Sequence, residues 1–293
     1  MSHRFSTATE LLELAGSTGL GIARLLLERD AERTGMDEDA IRAELAHRIL
    51  VTRRALEKGL RSPQRSLSGL TEGAAPRVAA SPSPPVADDF FNKAVAYALA
   101  VNEVNACGGK VDAFPTAGSC GIVPGVLWAW RDAREPGLGP DSRALQDAFT
   151  VSAAIGILIA ARATLSGAAG GCQAECGAAA AMAAAGLRKL MGAADADCVD
   201  AAALSLKNCL GLACDPVAGL VEVPCVKRNA FMAANAVTAA TLAAAGVRSA
   251  IPFDEVVGAM RAIGDALPSS LRESSEGGLA VTPTGLAAWE RIK

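Results

Sequence analysis

Apolar residues recur at helical spacing along most of the chain, and no polar–apolar alternation of period two runs long enough to build a sheet. Near the N-terminus Leu11 and Leu14, then Ile22, Leu25 and Leu26, follow a helical period, and Thr7 with Glu10 has the spacing of a capping box. Gly35 breaks that run, and a second amphipathic helix carries Ile41, Leu45 and Ile49 on one face and is expected to stop at Gly59. From about Arg61 to Ala87 the chain turns to Ser, Pro, Gly and small residues, with Ser81-Pro82-Ser83-Pro84-Pro85 near its end, as in a linker or a surface loop. Beyond Asp88 the pattern predicts helices over 89–106, 122–134, 142–164, 173–190, 196–211, 226–246 and 253–266. The expected fold is therefore all-α: a small N-terminal helical segment (1–60), a linker or loop (61–87) and a bundle-like helical catalytic domain (88–293).

Composition sharpens this picture. Of 293 residues 51% are apolar and only 4% aromatic, so the core must be built from small side chains, as in the run from Ala178 to Ala185. Alanine is the strongest helix former and lets helices approach closely. A net charge of −3, with no Lys/Arg stripe interleaved with aromatics, argues against nucleic acid and for a small-molecule partner. The most hydrophobic stretch, Val151 to Ala161, is short for a bilayer and closes at Arg162, so no membrane partner is expected. Met1-Ser2-His3-Arg4-Phe5-Ser6 lacks the apolar core of a secretory signal, which places the chain in the cytoplasm with reduced thiols.

Eight cysteines in a reducing compartment read as ligands, catalytic groups or small hydrophobes rather than disulfides. The two histidines, His3 and His47, lie far in sequence from every motif, which disfavours a His-built zinc site or a His-paired nucleophile. Three cysteines sit beside helix edges or Pro/Gly turns: Cys172 in Gly171-Cys172-Gln173-Ala174-Glu175, Cys214 in Cys214-Asp215-Pro216-Val217-Ala218-Gly219, and Cys225 in Val223-Pro224-Cys225. Three thiolates without a fourth suit an iron–sulfur cluster that keeps one iron open for Lewis-acid chemistry. Cys176, one turn beyond Cys172, is the rival for a fourth ligand, and a closed four-thiolate cluster would indicate electron transfer instead. Cys107, Cys198 and Cys209 read as packing residues. The loop from Gly108 to Gly121 brings small hydroxyl residues to the start of a helix, where unpaired N–H groups favour an anion such as an amino acid's carboxylate.

These residues resemble the α chain of iron–sulfur-dependent L-serine dehydratase, in the bacterial form whose α and β parts are separate polypeptides. The resemblance is carried by Lys93 to Ala106, by Pro115-Thr116-Ala117-Gly118-Ser119-Cys120-Gly121 and the apolar run after it, by Gly171 to Glu175, and by Cys214 to Ala230. Glu276-Gly277-Gly278-Leu279-Ala280 and Thr282-Pro283-Thr284-Gly285 resemble the family's C-terminus. The separations of 42 residues from Cys172 to Cys214 and 11 from Cys214 to Cys225 fit the family's ligand spacing.

The resemblance implies that Cys172, Cys214 and Cys225 bind three irons of a [4Fe–4S] cluster, whose open iron acts on the hydroxyl of L-serine while a base removes the α-proton. The enamine so formed tautomerises and hydrolyses to pyruvate and ammonia. Ser119 is the candidate base; Thr116, Ser119, Lys110 and Asn229 are candidate substrate contacts; a capping hydroxyl and a solvated loop lysine are the competing readings. Cys120 occupies a position where the family tolerates Cys or Ala, which argues against an essential thiol. No Cys follows Cys225, so the self-blocking C-terminal ligand of some single-chain relatives has no counterpart here. The resemblance further implies a β subunit in a hetero-oligomer and an oxygen-sensitive activity. The alternatives are an L-cysteine desulfidase on the same type of cluster, or an electron-transfer or redox-sensing iron–sulfur protein.

Overall fold

The computed structural model describes residues 5–62, 65–81 and 87–292. Its first helix, α1 (Ala8–Thr18), begins at the expected capping box: Glu10 N donates to Thr7 Oγ1 at 3.0 Å, and the Glu10 carboxylate accepts from Thr7 N at 3.2 Å. Helix α2 (Ile22–Thr34) ends where Gly35 takes a left-handed φ of 73°. Helix α3 (Glu38–Arg61), capped by Asp37, runs through Gly59 rather than stopping there. A Cβ on Gly59 would stand 2.2 Å from the Ala100 carbonyl oxygen, so this glycine marks a close helix crossing and not a breaker.

Within 61–87 a short helix, α4 (Ala74–Ala79), lies against α5 (Asp89–Ala106). The buried Glu103 carboxylate of α5 accepts from Ala74 N at 2.6 Å and Ala75 N at 3.2 Å, capping α4 in place of a local side chain. Pro82, Ser83, Pro84 and Pro85 lie outside the described residues.

The remaining helices are α6 (Ile122–Arg134), α7 (Arg143–Arg162), the one-turn α8 (Gly167–Gly170), α9 (Ala178–Leu190), α10 (Asp195–Lys207), α11 (Cys225–Ala244), α12 (Phe253–Ala266) and α13 (Pro283–Ile292). Among the described residues there is no strand, only two isolated bridges. Helix α9 is the axis of the bundle: every residue from Ala178 to Arg188 is buried, and α6, α7, α10 and α11 pack around it. Small side chains make that approach possible, and a Cβ on Gly186 would stand 2.2 Å from Ser152 Oγ of α7. Leu11, Ile22, Leu25, Ile49 and Leu56 of the N-terminal helices enter the same core as Trp128 and Phe149.

Helix α7 begins eight residues before the Val151–Ala161 stretch and ends one after it, and its 20 residues are long and apolar enough to cross a membrane by length and composition. Its most apolar window is 67% buried inside the fold, where α2 and α9 cover it, as for a core helix.

Candidate active site

Three element ends carry the three cysteines. Cys172 opens a single π-helical turn, Gln173–Gly177, that feeds into α9; Cys214 follows the loop after α10; Cys225 is the first residue of α11. π turns are rare and concentrate at functional sites. Gly171 before it has φ 75°, and a Cβ there would meet Leu212 O at 2.8 Å. Gln173, fully buried, fixes the turn from four sides: its backbone N donates to Leu212 O at 3.1 Å, Nε2 donates to Gly170 O and Met260 O at 2.9 Å each, and Oε1 accepts from Gly211 N at 3.0 Å. Cys214 is held by a bridge to the C-terminal segment, donating to Leu271 O at 2.9 Å while its carbonyl accepts from Glu273 N at 2.7 Å.

The thiols meet electrostatically as well as spatially. Cys172 is held well below the usual thiol range because it accepts hydrogen bonds from Cys176 and Cys214 and faces the Arg228 guanidinium. The donors Cys176 and Cys214 are pushed up by that same thiolate and by burial. Burial, then the Cys172 charge, lifts Cys225 to about 12. Arg228, three residues after Cys225, also donates to Ala213 O at 2.8 Å and pairs with the buried Asp215 at 3.6 Å. Cys176 thus joins the thiol group, while Cys120 and Cys198 are apart from it, each raised to about 12 chiefly by burial.

Beside the thiols runs the loop that ends in the short turn Ala117–Ser119. Ser119 is fully buried; its Oγ lies 3.0 Å from Thr116 Oγ1 and 3.3 Å from the Phe114 carbonyl, so the hydroxyl closes the turn as a cap does. Thr116 faces outward from that turn, within hydrogen-bonding reach of Glu175. Asn229, also fully buried, donates to Gly118 O at 2.8 Å and Cys225 O at 2.9 Å and accepts from Gly121 N at 3.0 Å, tying the loop to the start of α11. All its strong hydrogen-bonding directions point into protein. Lys110 is exposed at the far end of the loop. Thr116, Ser119 and Asn229 are therefore gathered beside the cysteines, and Lys110 stands outside the group.

Two carboxylates complete the site, and neither was singled out from the sequence. Glu175 Oε2 lies 3.8 Å from Cys214 Sγ, and ligand atoms of Glu175, Cys214 and Glu273 all fall within 4.8 Å of one another. Burial, followed by the Cys172 and Glu273 charges, pushes the Glu175 carboxyl up to about 7, against the pull of the Thr116 hydroxyl. Glu175 sits three residues after Cys172 in the same motif, which was a usable signal. Glu273 adopts a left-handed φ of 63° in a loop that only the tertiary bridge brings to Cys214. Glycines flank this group: a Cβ on Gly167 would stand 2.7 Å from Glu175 Oε2 and 3.0 Å from Cys214 Sγ. Such a set of soft thiol donors beside a half-buried guanidinium suits a soft metal or an iron–sulfur cluster.

Comparison with known proteins places the chain in a family. The family described as serine dehydratase alpha chain matches residues 17–280. A Bacillus subtilis protein named probable L-serine dehydratase, alpha chain, is 44% identical over 98% of this chain and 95% of its own length. The L-serine dehydratase, alpha chain, of Peptoniphilus asaccharolyticus is 41% identical over 96% of this chain and 95% of its own length. An L-serine dehydratase of Streptomyces coelicolor is 37% identical over 96% of this chain but only 62% of its own length. Matched across most of its length by the family and nearly end to end by two alpha chains, this chain belongs to the serine dehydratase alpha chain family.

Proposed function

We propose that this chain is the α subunit of an L-serine dehydratase, a lyase converting L-serine to pyruvate and ammonia, with a [4Fe–4S] cluster held by Cys172, Cys214 and Cys225. The observation that carries the reading is the meeting of thiols from three separate element ends around one thiolate, Cys172, with Arg228 against it. Arg228 is suited to offset the negative charge of a thiolate-held cluster, and the missing Cβ of Gly167 leaves room beside Cys214. When bound, the cluster supplies Lewis acidity toward the β-hydroxyl, which is otherwise a poor leaving group near neutral pH.

The chain's own residues do the rest. Gln173 and the Leu271–Cys214–Glu273 bridge fix two of the ligands, so the site is rigid before substrate arrives. Asn229 holds the Thr116–Gly121 loop against the third. Thr116 presents its hydroxyl to the substrate side, and Ser119, engaged with Thr116 and the Phe114 carbonyl, keeps it aimed.

A separate β polypeptide completes the enzyme in this reading. Two relatives carry the words "alpha chain" in their names, and the Streptomyces coelicolor relative is longer than the part this chain matches.

The test is anaerobic pyruvate release from L-serine by this chain co-expressed with its β partner, with Cys214→Ser alongside. Turnover that is lost with iron in the variant supports the reading. Failure of the unsubstituted complex to release pyruvate despite a full cluster refutes it, and sulfide release from L-cysteine in its place would identify a desulfidase.

A further inference from the structure

Between α2, α3, α7 and the start of the Gly108–Gly121 loop the fold leaves a cavity of about 240 Å³, and no cysteine lines it. Its floor is apolar. Leu26 and Phe149 are buried, Leu45 and Phe114 are half-buried, and the Phe114 and Phe149 rings meet at 5.5 Å and 57°. Water over such a floor finds few hydrogen-bonding partners, and an apolar body displaces it favourably. An apolar cavity of roughly 150 Å³ already holds benzene, so this one takes a ring or a branched alkyl chain with a polar group attached.

The polar edge of the cavity selects the charge of that group. Asp112 of the loop and Glu44 of α3 share one guanidinium, Arg48, at 3.5 Å and 2.9 Å, and among the described residues no other Lys or Arg pairs with either. Asp30, the third carboxylate on the cavity, is answered by Arg33 at 3.4 Å. The lining is therefore one positive charge short of balance. The shortfall falls on Asp112, which is only 20% exposed where Glu44 is 52% exposed and screened by water. Burial, the larger effect, pushes the Asp112 carboxyl up despite Arg48, so the shared guanidinium does not fully offset its charge. A cationic head on a compact apolar body complements such a space, and an anion does not.

We infer that this cavity is a second ligand site, that it takes a primary ammonium compound with a compact apolar body, and that its occupancy steadies the Thr116–Ser119 turn. The ammonium lies on Asp112 and the body over Leu26, Leu45 and Phe149. The link to the turn runs through the chain itself. Asp112, Ala113 and Phe114 form one wall of the cavity, and Phe114 O accepts from Ser119 Oγ at 3.3 Å, which lies 3.0 Å from Thr116 Oγ1. The turn's backbone bonds are long, 3.3 Å from Ser119 N to Thr116 O and 3.4 Å from Cys120 N to Ala117 O. A ligand packed on Phe114 supports the wall on the side where protein neighbours are missing, so the turn opens less often. None of this depends on the dehydratase reading.

The experiment uses the full chain and three probes of one shape and different charge: benzylamine, benzyl alcohol and benzoate. Calorimetric titrations are run at about pH 8, above the ordinary histidine range, because His47 also faces Asp112. Benzylamine should bind one-to-one with a Kd of about a millimolar, as suits a ligand of so few atoms. Benzyl alcohol should bind roughly threefold to tenfold more weakly, the worth of one partly screened charge pair, and benzoate more weakly still. Asp112→Asn should bring the benzylamine Kd to that of benzyl alcohol and leave the alcohol's unchanged. Ala153→Leu, which fills the cavity from α7, should weaken benzylamine and benzyl alcohol by about tenfold or more. Hydrogen exchange at the Ser119 and Cys120 amides should slow severalfold in the chain saturated with benzylamine, and should not respond to the same concentration in Ala153→Leu. The inference is overturned if benzyl alcohol or benzoate binds as tightly as benzylamine, if neither variant changes the benzylamine Kd, or if no saturation is reached at about 50 mM. Unchanged exchange at both amides in the saturated chain overturns it as well. Should Ala153→Leu fail to fold, Leu45→Phe, which enlarges a side chain at the half-exposed edge, decides in its place, and an unaltered benzylamine Kd in that variant overturns the inference.

Discussion

Asn229 is the side chain on which the candidate site's loop depends, and the cost of removing it can be worked out group by group. Its Nδ2 donates to Gly118 O and Cys225 O, and its Oδ1 accepts from Gly121 N. In Asn229→Ala, Gly118 O keeps a second donor, Asn102 Nδ2 at 3.1 Å, and Cys225 O keeps its place in the α11 ladder. Gly121 N–H alone is orphaned in a buried position, which costs about 1–3 kcal/mol. The lost hydrogen bonds and vacated volume add roughly 1 kcal/mol, for a total of about 2–4 kcal/mol. For a chain of this size that lowers Tm by roughly 5–15 °C. Asn229→Asp keeps the acceptor for Gly121 but turns both donors into an anion facing two carbonyls. Burial raises the new carboxyl's pKa in the folded state above its unfolded value, so the folded chain binds the proton more readily and the variant loses further stability as pH rises past about 4. Thermal melts followed by circular dichroism, with hydrogen exchange at the Gly121 amide, read both effects. An alanine variant that melts within about 2 °C of the parent, with the Gly121 amide still protected, would refute the account.

Three further outcomes follow from the same structure. Gly186→Ala puts a Cβ 2.2 Å from Ser152 Oγ and 2.9 Å from Ala148 O, so α7 and α9 must move apart at a cost of about 1–3 kcal/mol; Gly16→Ala meets nothing within 4 Å in α1 and should be neutral or stabilising by up to about 1 kcal/mol, a contrast that chemical denaturation measures. Burial pushes the Asp132 carboxyl up, but hydrogen bonds from Arg53, Arg131 and Tyr97 outweigh it and hold it below its ordinary value of 3.8; its stabilisation is present above that pH and lost as pH falls through the lower folded value, so Asp132→Asn should be less stable than the parent at pH 6 and converge with it in acid. Cys172→Ser should lose iron and acid-labile sulfide, whereas Cys198→Ala, apart from the thiol group, should retain both within error.

The helices of the body were legible through their apolar period, with a local cap adding to it in α5. Asp88 caps α5 and accepts from Phe91 N at 2.9 Å, and α5, α6 and α12 start and stop at the residues expected from periodicity. Gly59 misled because the same residue type that breaks a helix also permits a crossing at van der Waals distance, and only Ala100 on another helix reveals which. Helix α4 was hidden because its cap, Glu103, lies on α5 rather than next to it in sequence. The three cysteine motifs stand out for their Pro and Gly neighbours. Glu273 carries no such mark: it reaches the site through a bridge between Cys214 and Arg272, two segments whose pairing no periodicity encodes. The roles of Ser119 and Asn229 were similarly beyond reach, since their partners are backbone groups of a loop whose path had first to be known.

The way the cysteines are held decides what removing the proposed cluster would do. In small metal-dependent domains the ligands have no other restraint, so binding and folding are one event and chelation unfolds the chain. Here Cys172 is anchored through Gln173, Cys214 through Leu271 and Glu273, and Cys225 through Asn229 and the first turn of α11, all by bonds that involve no metal. Behind them one core runs from Leu11 to Met260, with α9 sealed on every side. A chain with this much buried apolar surface holds its fold by packing. Stripping the cluster with a chelator under oxidation should therefore abolish turnover while leaving about nine-tenths or more of the far-ultraviolet helical signal, with the stability loss confined to the binding free energy of the lost group. Hydrogen exchange should rise first at Cys214 and Glu273, the bridge lying nearest the chain's surface, and stay slow along α9. A cooperative collapse of helicity on chelation would show instead that the thiols organise the bundle, and that the anchors described for each cysteine are consequences of a bound cluster rather than its preformed seat.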